Sequence, residues 1–275
     1  MRNFKPNSLL NAFLYISLFM VSVPIVILLL WTFTGRWPWP NLLPRTYSFR
    51  AIKEVFAPHT GIFQVLFSSM LLSLSVAILS VIIGTMTARA LTLYDFAGKK
   101  LIALLGIAPN LMPETVFAMG IHIVFIHMSL ADTVLGVIIV HLIYTLPYSV
   151  SIMRDLTQSI GERLEMQAYV LGASPFKSFV YITLPLLVPG IKTSIGMAYI
   201  ISSSQYFITL LIGGGKIKTF NMLMVPFIAK GDRALGSAYA LIFMISTLLI
   251  LIITDGVTKK LPYQNNGGKY KWNWN

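Results

Sequence analysis

The sequence predicts an all-α membrane protein of about six transmembrane helices. Hydrophobic residues make up 56% of its 275 positions and charged residues only 11%, whereas a soluble domain usually carries about a quarter charged residues. The mean hydropathy is +0.76. Since a spanning helix needs about 20 apolar residues, the length suffices for one bundle of six helices, or for five with a peripheral first helix. The chain has no cysteine, which excludes disulfides and thiolate metal sites.

The basic residues point to a membrane surface rather than to nucleic acid. The formal net charge is +12, but the positive residues are scattered between apolar runs, near the ends of the predicted spans. Such residues normally set the orientation and meet anionic lipid headgroups. With both termini in the cytoplasm, thirteen of the 21 basic residues lie inside and eight outside. We therefore expect a multi-pass protein of the cell membrane with both termini cytoplasmic.

Two regular spans open the chain. The first is predicted at 13–33 and the second at 61–91, where serines set among leucines suit close helix packing. Between them lies a segment rich in aromatic residues and proline, 35–60, in which the prolines forbid a regular helix. Its Trp37 and Trp39 suit the membrane interface.

The third predicted span, 101–128, is the most irregular, because Pro109 and Pro113 break the helical ladder and free backbone carbonyls. Glu114 is the one acid deep in a predicted span. A charge at the bilayer centre costs about 3 kcal/mol or more, so this carboxylate should face a partner or a wet cavity. It either lines a pathway that suits a cation, or it caps free amides or pairs with a histidine. The candidates for such a pair are His122 and His141.

Polar groups in the later spans are the other candidates for a pathway. The remaining spans are predicted at 132–153, 193–212 and 235–253. Tyr144 lies in the fourth span, and Gln205 and Tyr206 lie mid-way along the fifth. Adjacent residues on a helix point about 100° apart, so only part of this cluster can face a pore. Hydrogen bonding within the bundle explains these residues equally well.

The sequence carries no motif for catalysis. Gly213-Gly214-Gly215-Lys216 lacks the spacing and the following hydroxyl residue of a phosphate-binding loop. His122 and His127 lie five apart with no carboxylate at metal-ligand spacing. We therefore predict a non-enzymatic chain that binds no cofactor and no metal itself.

The longest polar interruption, 154–191, has the start and stop signals of two short helices. An S-x-x-E capping box at positions 159–162 and apolar residues at helical spacing predict a helix over 160–171. Gly172 follows where a helix ends in the left-handed conformation that glycine adopts cheaply. Ser174-Pro175 then starts a second helix, with serine as the N-cap and proline at the first helical position.

The same stretch contains a spaced series of small, glycine and proline residues. They are Ala168, Gly172-Ala173-Ser174, Phe179, Ile182, Leu184-Pro185 and Pro189-Gly190-Ile191. In this spacing the stretch resembles the cytoplasmic EAA loop of ABC importer permeases, whose pattern is E-A-A, three residues, G, a spacer and I-x-L-P. With Gly172 aligned, E-A-A falls on 166–168, where only Ala168 matches. A glutamate stands one position earlier, at Glu165.

The resemblance implies the type I (MetI-like) permease fold, in which this loop forms a coupling helix. It also implies an ATPase dimer that binds ATP and Mg²⁺, a second permease subunit, expected to be a different chain, and an extracytoplasmic solute-binding protein. The mechanism implied is alternating access. The residues implied to meet or follow the ATPase are Glu165, Met166, Gln167, Ala168, Gly172, Ala173, Leu184 and Pro185.

The substrate expectation is a polyamine such as spermidine or putrescine. The segment FITLLIGGG at 207–215 resembles permeases of the polyamine, thiamine and phosphonate uptake group, and Glu114 suits a cation. Importers of thiamine, ferric iron and aminoalkylphosphonates share much of this pattern. A secondary transporter would usually show inverted internal repeats, which we do not find, and a membrane enzyme would need a catalytic constellation.

The chain is expected to divide into three parts. Residues 1–12 form a cytoplasmic N-terminus, and 13–257 form the transmembrane permease domain with the coupling loop at 154–191. Residues 258–275 form a polar tail that lacks periodicity, so we expect it to be poorly ordered.

Overall fold

The computed structural model describes residues 8–38, 40–259, 263–266 and 269–272, and these are mostly helical. Within them, five helices are long and apolar enough to cross a membrane, and one bent pair makes a sixth span if it is counted as one. This agrees with the predicted all-α bundle. The chain divides into two compact units, residues 1–62 with 223–246, and residues 63–222 with 247–275.

The first unit joins one long helix to a short hairpin and a short helix. Its elements are α1 (Ser8–Thr32), β1 (Thr34–Arg36), β2 (Thr46–Tyr47) and α2 (Arg50–Val55), with the antiparallel pair β1–β2. Trp31 stacks on Trp37 with ring centroids 4.6 Å apart. The proline-rich segment 35–60 is therefore non-helical over the hairpin, as predicted, but the prediction is wrong for its later part, which forms the helix α2 and a 3₁₀ turn, Pro58–Thr60. Trp39 lies outside the described residues.

The second unit holds most of the bundle. Its helices are α3 (Ile62–Leu93), α4 (Lys99–Leu111), α5 (Glu114–His127), α6 (Val134–Ile160), α7 (Arg163–Val170), α8 (Pro175–Ser178), α9 (Leu184–Ser204) and α10 (Phe207–Ile212). Two further helices, α11 (Phe220–Ala229) and α12 (Arg233–Lys259), contribute to both units. The pair α6 and α9 packs along much of its length, and Ser80 of α3 shares a buried hydrogen bond of 2.8 Å with Ser149 of α6.

The predicted third span is bent by 114° between α4 and α5. The bend falls at Met112, whose backbone is extended, immediately before Pro113. A residue that precedes proline is pushed out of the helical region, and proline supplies no N–H to continue the ladder. The predicted irregularity is confirmed, and its position is the second of the two prolines.

The start of the predicted coupling loop is wrong, because α6 continues to Ile160 instead of ending at 153. The hydroxyl of Ser159 donates to the carbonyl of Leu156 within α6, so it caps nothing downstream. α7 begins at Arg163 without a side-chain cap. The capping-box prediction fails because the S-x-x-E pattern lies across a helix end rather than at a helix start.

The end of the loop also comes earlier than predicted. From Pro175 the chain stays helical through a π turn, Phe179–Thr183, and into α9, giving one apolar stretch of 30 residues to Ser204. The N–H of Leu184 bonds to the carbonyl of Phe179, five residues back. This wider turn accommodates Pro185, which has no N–H of its own. The irregular part of the loop therefore runs only from 161 to 174.

The C-terminal tail, predicted to be poorly ordered, contains a short hairpin. Strands β3 (Tyr263–Asn266) and β4 (Lys269–Trp272) pair antiparallel, with Tyr263 opposite Trp272. The expected N-terminal segment and the tail otherwise lie largely outside the described residues.

Candidate coupling and transport sites

The turn after α7 is built as the sequence predicts. Gly172 has a φ of +85°, and its N–H donates to the carbonyl of Tyr169 at 2.9 Å. The next N–H, of Ala173, donates to the carbonyl of Ala168 at 2.9 Å, which completes a Schellman motif. The hydroxyl of Ser174 then accepts a hydrogen bond from the N–H of Lys177 in α8, the helix that begins at Pro175. The left-handed glycine and the serine cap are confirmed.

One face of α7 is buried and the other is exposed. Glu165 and Ala168 are buried, whereas Met166 and Gln167 are exposed. Three apolar side chains around the Gly172 turn are more exposed still: Val170 (88%), Leu171 (87%) and Phe176 (77%). We call these three residues the apolar cap. Such a contiguous exposed apolar group is typical of an interaction surface.

Glu165 lies inside the chain, not on the exposed face where a direct ATPase contact would place it. Nη2 of Arg89, on α3, lies 2.9 Å from Oε1 and 3.1 Å from Oε2 of this carboxylate. The Thr183 hydroxyl of the π turn also donates to Oε1. The Arg89 guanidinium lies 5.1 Å from the centre of the Phe179 ring. With Tyr169, these residues form what we call the anchor cluster.

Tyr169 completes the anchor cluster from the next turn of α7. Its hydroxyl lies 3.5 Å from Oε2 of Glu165. Partial burial, and then the negative charge of Glu165, raise the pKa of this phenol above its usual value. The phenol therefore remains a neutral donor to the carboxylate at physiological pH.

The remaining residues of the loop pattern lie beyond this cluster. Ala173 is half-buried in the turn, and Leu184 and Pro185 begin α9, where Pro185 is buried. They follow the π turn directly, so the pattern residues and the members of the anchor cluster other than Arg89 lie in one stretch of chain.

A second constellation surrounds a break in the fifth span. α9 ends at Ser204, Gln205 is extended, and α10 starts at Phe207. His141 of α6 bridges the break, because Nδ1 lies 2.9 Å from the Ser202 hydroxyl and Nε2 lies 2.9 Å from the Thr209 hydroxyl. The sequence suggested His141 only as a candidate partner of Glu114. It is buried, and its link between the two half-helices was missed.

The hydrogen bonds assign the tautomer of the buried ring in its neutral form. The Thr209 hydroxyl donates its hydrogen to the carbonyl of Gln205 at 3.0 Å. Nε2 of His141 must then donate to that hydroxyl, which leaves Nδ1 of the neutral ring to accept from Ser202. Both ring nitrogens of His141 are thus bonded. His141 does not pair with Glu114, so that alternative for Glu114 is wrong.

The predicted pathway residues are distributed around this break. Gln205 and Tyr206 form the break and are half-buried. Tyr144 is buried, with its ring 5.4 Å edge-on to Phe117 of α5. Its hydroxyl has no hydrogen-bond partner in the part of the chain that the structure describes. Tyr144 also shares an apolar cluster with Ile208 of α10.

Glu114 is the first residue of α5, directly after the bend at Pro113, and it is exposed. A negative charge suits a helix N-terminus, but the carboxylate makes no ion pair or side-chain hydrogen bond to the described residues. The described residues also contain no group of three or more His, Asp or Glu side chains that could hold a metal ion.

Known proteins resemble the chain over most of its length. It is 22% identical to a putative 2-aminoethylphosphonate transport system permease protein (PhnV) of Salmonella typhi, covering 87% of this chain and 90% of that protein. It is 23% identical to the spermidine/putrescine transport system permease protein PotC of Haemophilus influenzae, covering 91% and 96%.

Solved structures give the same fold. The crystal structure of a bacterial ABC transporter involved in the import of the acidic polysaccharide alginate contains a chain with a TM-score of 0.68, at 15% identity, covering 92% of this chain and 96% of that one. The model of the binding-protein-dependent transport system inner membrane component family matches residues 80–262. The chain therefore belongs to this family and is an ABC importer permease.

Proposed function

We propose that this permease imports a polyamine through a pathway shared with a second, different permease chain. An ATPase dimer docks on the apolar cap on the cytoplasmic side, and an extracytoplasmic protein delivers the substrate. The observation that carries the coupling part is the apolar cap of Val170, Leu171 and Phe176. ATP-driven closure of the ATPase pair moves α7, and this motion alternates the access of the pathway.

The apolar cap has the make-up of a docking surface. Protein interfaces typically combine an apolar centre with a polar, solvent-accessible rim. Here the cap is accompanied by exposed Arg163 and Gln167 on α7 and by exposed Lys177 on α8. Val170 and Leu171 lie outside every candidate span of the described residues, so lipid tails do not explain their exposure, whereas Phe176 is the second residue of the candidate span Pro175–Ser204. The arrangement supports a protein partner at this end of the bundle.

Two observations support a cationic substrate. A relative that matches nearly its full length is named for spermidine and putrescine. Glu114 offers an exposed, unpaired carboxylate at a bend within a membrane span, and such groups usually mark ion or substrate pathways. A carboxylate there lowers the electrostatic cost of an ammonium group in the membrane.

A second candidate, an aminoalkylphosphonate, is favoured by a cavity in the first compact unit. This cavity, of about 640 Å³, is lined by the basic residues Arg50, Lys230 and Arg233 and by the acid Asp232. Arg50 is paired with Asp232 at 3.0 Å, so the lining is positive overall. A positive lining favours an anionic group such as a phosphonate, and a relative named for 2-aminoethylphosphonate matches with similar identity.

The docking part is tested by purifying the complex through a C-terminal tag and identifying what co-purifies. We expect an ATPase and a second permease in stoichiometric amounts. Leu171→Asp should lose the ATPase, because a charge replaces an exposed apolar contact. Phe96→Asp is the matched control, because Phe96 is exposed in the loop after α3 and should leave the ATPase bound. Uptake by proteoliposomes without any ATPase or ATP would instead make the chain a secondary transporter.

The substrate part is tested by ATP-driven uptake of spermidine and of 2-aminoethylphosphonate, with the matching binding protein. Glu114→Gln should abolish polyamine uptake while the complex still assembles. Glu162→Gln changes an exposed acid outside the spans and should leave uptake unchanged. Unaltered polyamine uptake in Glu114→Gln would remove Glu114 from the pathway, and uptake of the phosphonate alone would favour the second candidate.

A further inference from the structure

We propose that the Arg89–Glu165 ion pair is a positioning device that fixes the coupling helix α7 to α3 and to the start of the fifth span. In this proposal, which rests on the proposed function, Glu165 makes no contact with the ATPase. It makes α7 and the inner ends of two spans move as one body, so displacement of α7 reaches the pathway. Arg89 and Glu165 are therefore positioning residues.

The chain joins α7 to its neighbours through a glycine at each end. Gly161 before it has a φ of +65° and Gly172 after it has a φ of +85°. A Cβ built on either glycine would meet nothing within 4 Å, so no neighbouring side chain packs against that side of either joint. Glycine has more conformational freedom than any other residue. Beyond the local backbone hydrogen bonds at these joints, side-chain contacts are therefore what can carry motion of α7 to other helices.

The anchor cluster provides that hold through three elements at once. Glu165 of α7 is bonded to Arg89 of α3 and to Thr183 of the π turn. The two charged side chains are only 13% and 9% exposed. Charge-assisted bonds of this kind are short and directional, and the Phe179 ring, whose centre lies 5.1 Å from the guanidinium, adds a cation–π contact.

The position of Glu165 on the helix separates this role from docking. The apolar cap lies at the C-terminal end of α7 and at α8, where its side chains are exposed, whereas Glu165 and Ala168 are buried one helical turn apart. Glu165 is buried, and its carboxylate is already bonded to Arg89 and Thr183, so it is poorly placed to contact a partner. Removal of either charge would leave the other buried without a partner, which is strongly unfavourable.

The proposal is tested on the complete transporter in proteoliposomes, by measuring substrate transported per ATP hydrolysed. Glu165→Gln keeps the shape and removes the charge. We expect the ATPase to co-purify at the normal ratio and to hydrolyse ATP at a near-normal basal rate. Transport per ATP should fall about tenfold, within the usual range of coupling between sites. Glu162→Gln, an exposed acid next to α7, is the control and should behave as the parent protein.

A distance measurement separates positioning from a general loss of stability. Because the chain has no cysteine, spin labels can be placed at Leu164→Cys on α7 and Met86→Cys on α3, both exposed, without other changes to this chain. We expect a narrow distance distribution in the parent complex and a broad one in Glu165→Gln. The exchange Arg89→Glu with Glu165→Arg should narrow the distribution again and recover part of the coupling.

Each outcome bears on one proposal. Normal transport per ATP in Glu165→Gln, or an unchanged narrow distribution, overturns the positioning role. Loss of the ATPase from Glu165→Gln, with the narrow distribution retained, also overturns it and makes Glu165 a docking residue. If the parent complex itself contains no ATPase, the proposed function fails, and this result does not depend on Glu165.

Discussion

The anchor cluster and the break in the fifth span solve the same problem with different chemistry. Each joins helices that the chain leaves separate: Arg89 and Glu165 tie α7 to α3, and His141 ties α6 to both α9 and α10. The first connection is an ion pair at the end of the bundle. The second consists of neutral hydrogen bonds within membrane spans.

The difference follows from the cost of moving charge out of water. An ion pair is tolerable at the end of a bundle, where partial hydration and additional donors offset the desolvation of both groups. Deeper in the membrane a charge costs about 3 kcal/mol or more, so a neutral imidazole between two hydroxyl groups is the less costly bridge. The comparison predicts that changes at the α7 end act on coupling, whereas changes at the break act on stability and on the substrate.

The largest effect, on the coupling of ATP hydrolysis to transport, is expected from Gly172→Val, which strains the turn after α7. A β-branched residue at a φ of +85° costs about 1–3 kcal/mol. The chain should still insert and assemble, but α7 should shift, so that ATP hydrolysis is no longer coupled to transport. The measurement is ATPase activity with and without substrate, together with uptake in proteoliposomes.

The control at this position is Gly172→Asn. Asparagine tolerates the left-handed region far better than valine, and the added Cβ meets no atom within 4 Å. Most of the coupling should therefore be retained. Normal substrate-stimulated ATPase activity in Gly172→Val would contradict the role given to this turn.

Local features of the α7 end could be predicted from sequence because short-range rules determine them. Gly172 favours the left-handed conformation, and the pair Ser174-Pro175 favours a helix start. The structure shows both. The start of α7 was predicted wrongly, since α6 continues to Ile160. Pattern rules do not show whether a preceding helix has already ended.

The partner of Glu165 could not be predicted. Arg89 lies 76 positions away, and nothing in the pattern of either segment links them. The family resemblance drew attention to Glu165 only as a displaced glutamate of the loop pattern. Its burial depends on how α7 packs on α3, which is a tertiary property.

The break in the fifth span could be predicted only in part from the sequence. Gln205 and Tyr206 were identified as polar residues, but as part of a continuous helix, because neither is a glycine or proline that would interrupt one. The bridge from His141 and the bond from Asn221 Nδ2 to the carbonyl of Ser203, at 3.0 Å, satisfy groups at the break. Both partners lie in other helices, so sequence periodicity could not place the interruption.

A moderate effect, on stability, is expected from His141→Leu. This change removes two hydrogen bonds across the break and leaves the Ser202 hydroxyl without its partner. Hydrogen bonds within membrane bundles average about 0.6 kcal/mol and reach about 1.7 kcal/mol, so the loss should be about 1–3 kcal/mol. The measurement is the thermal midpoint of the purified complex in detergent.

The matched control for this change is His127→Leu, because His127 is exposed at the end of α5 and its replacement should leave the midpoint unchanged. Transport per ATP, measured at a temperature where both variants are folded, should stay near the parent value. A loss of transport per ATP in His141→Leu without a loss of stability would contradict the distinction between the α7 end and the break in the fifth span.

The smallest effect on stability is expected from Tyr144→Phe. The phenol hydroxyl is buried without a partner among the described residues, so its removal breaks no internal hydrogen bond and should leave the midpoint unchanged or slightly higher. If this hydroxyl serves the pathway next to α5 and α10, its loss should weaken uptake by raising KM for the substrate several-fold, at about 1 kcal/mol for one hydrogen bond. Uptake assays across a range of substrate concentrations check this. A lowered midpoint with unchanged KM would show that the hydroxyl is a structural group, and the pathway would then have to be sought at Gln205 and Tyr206.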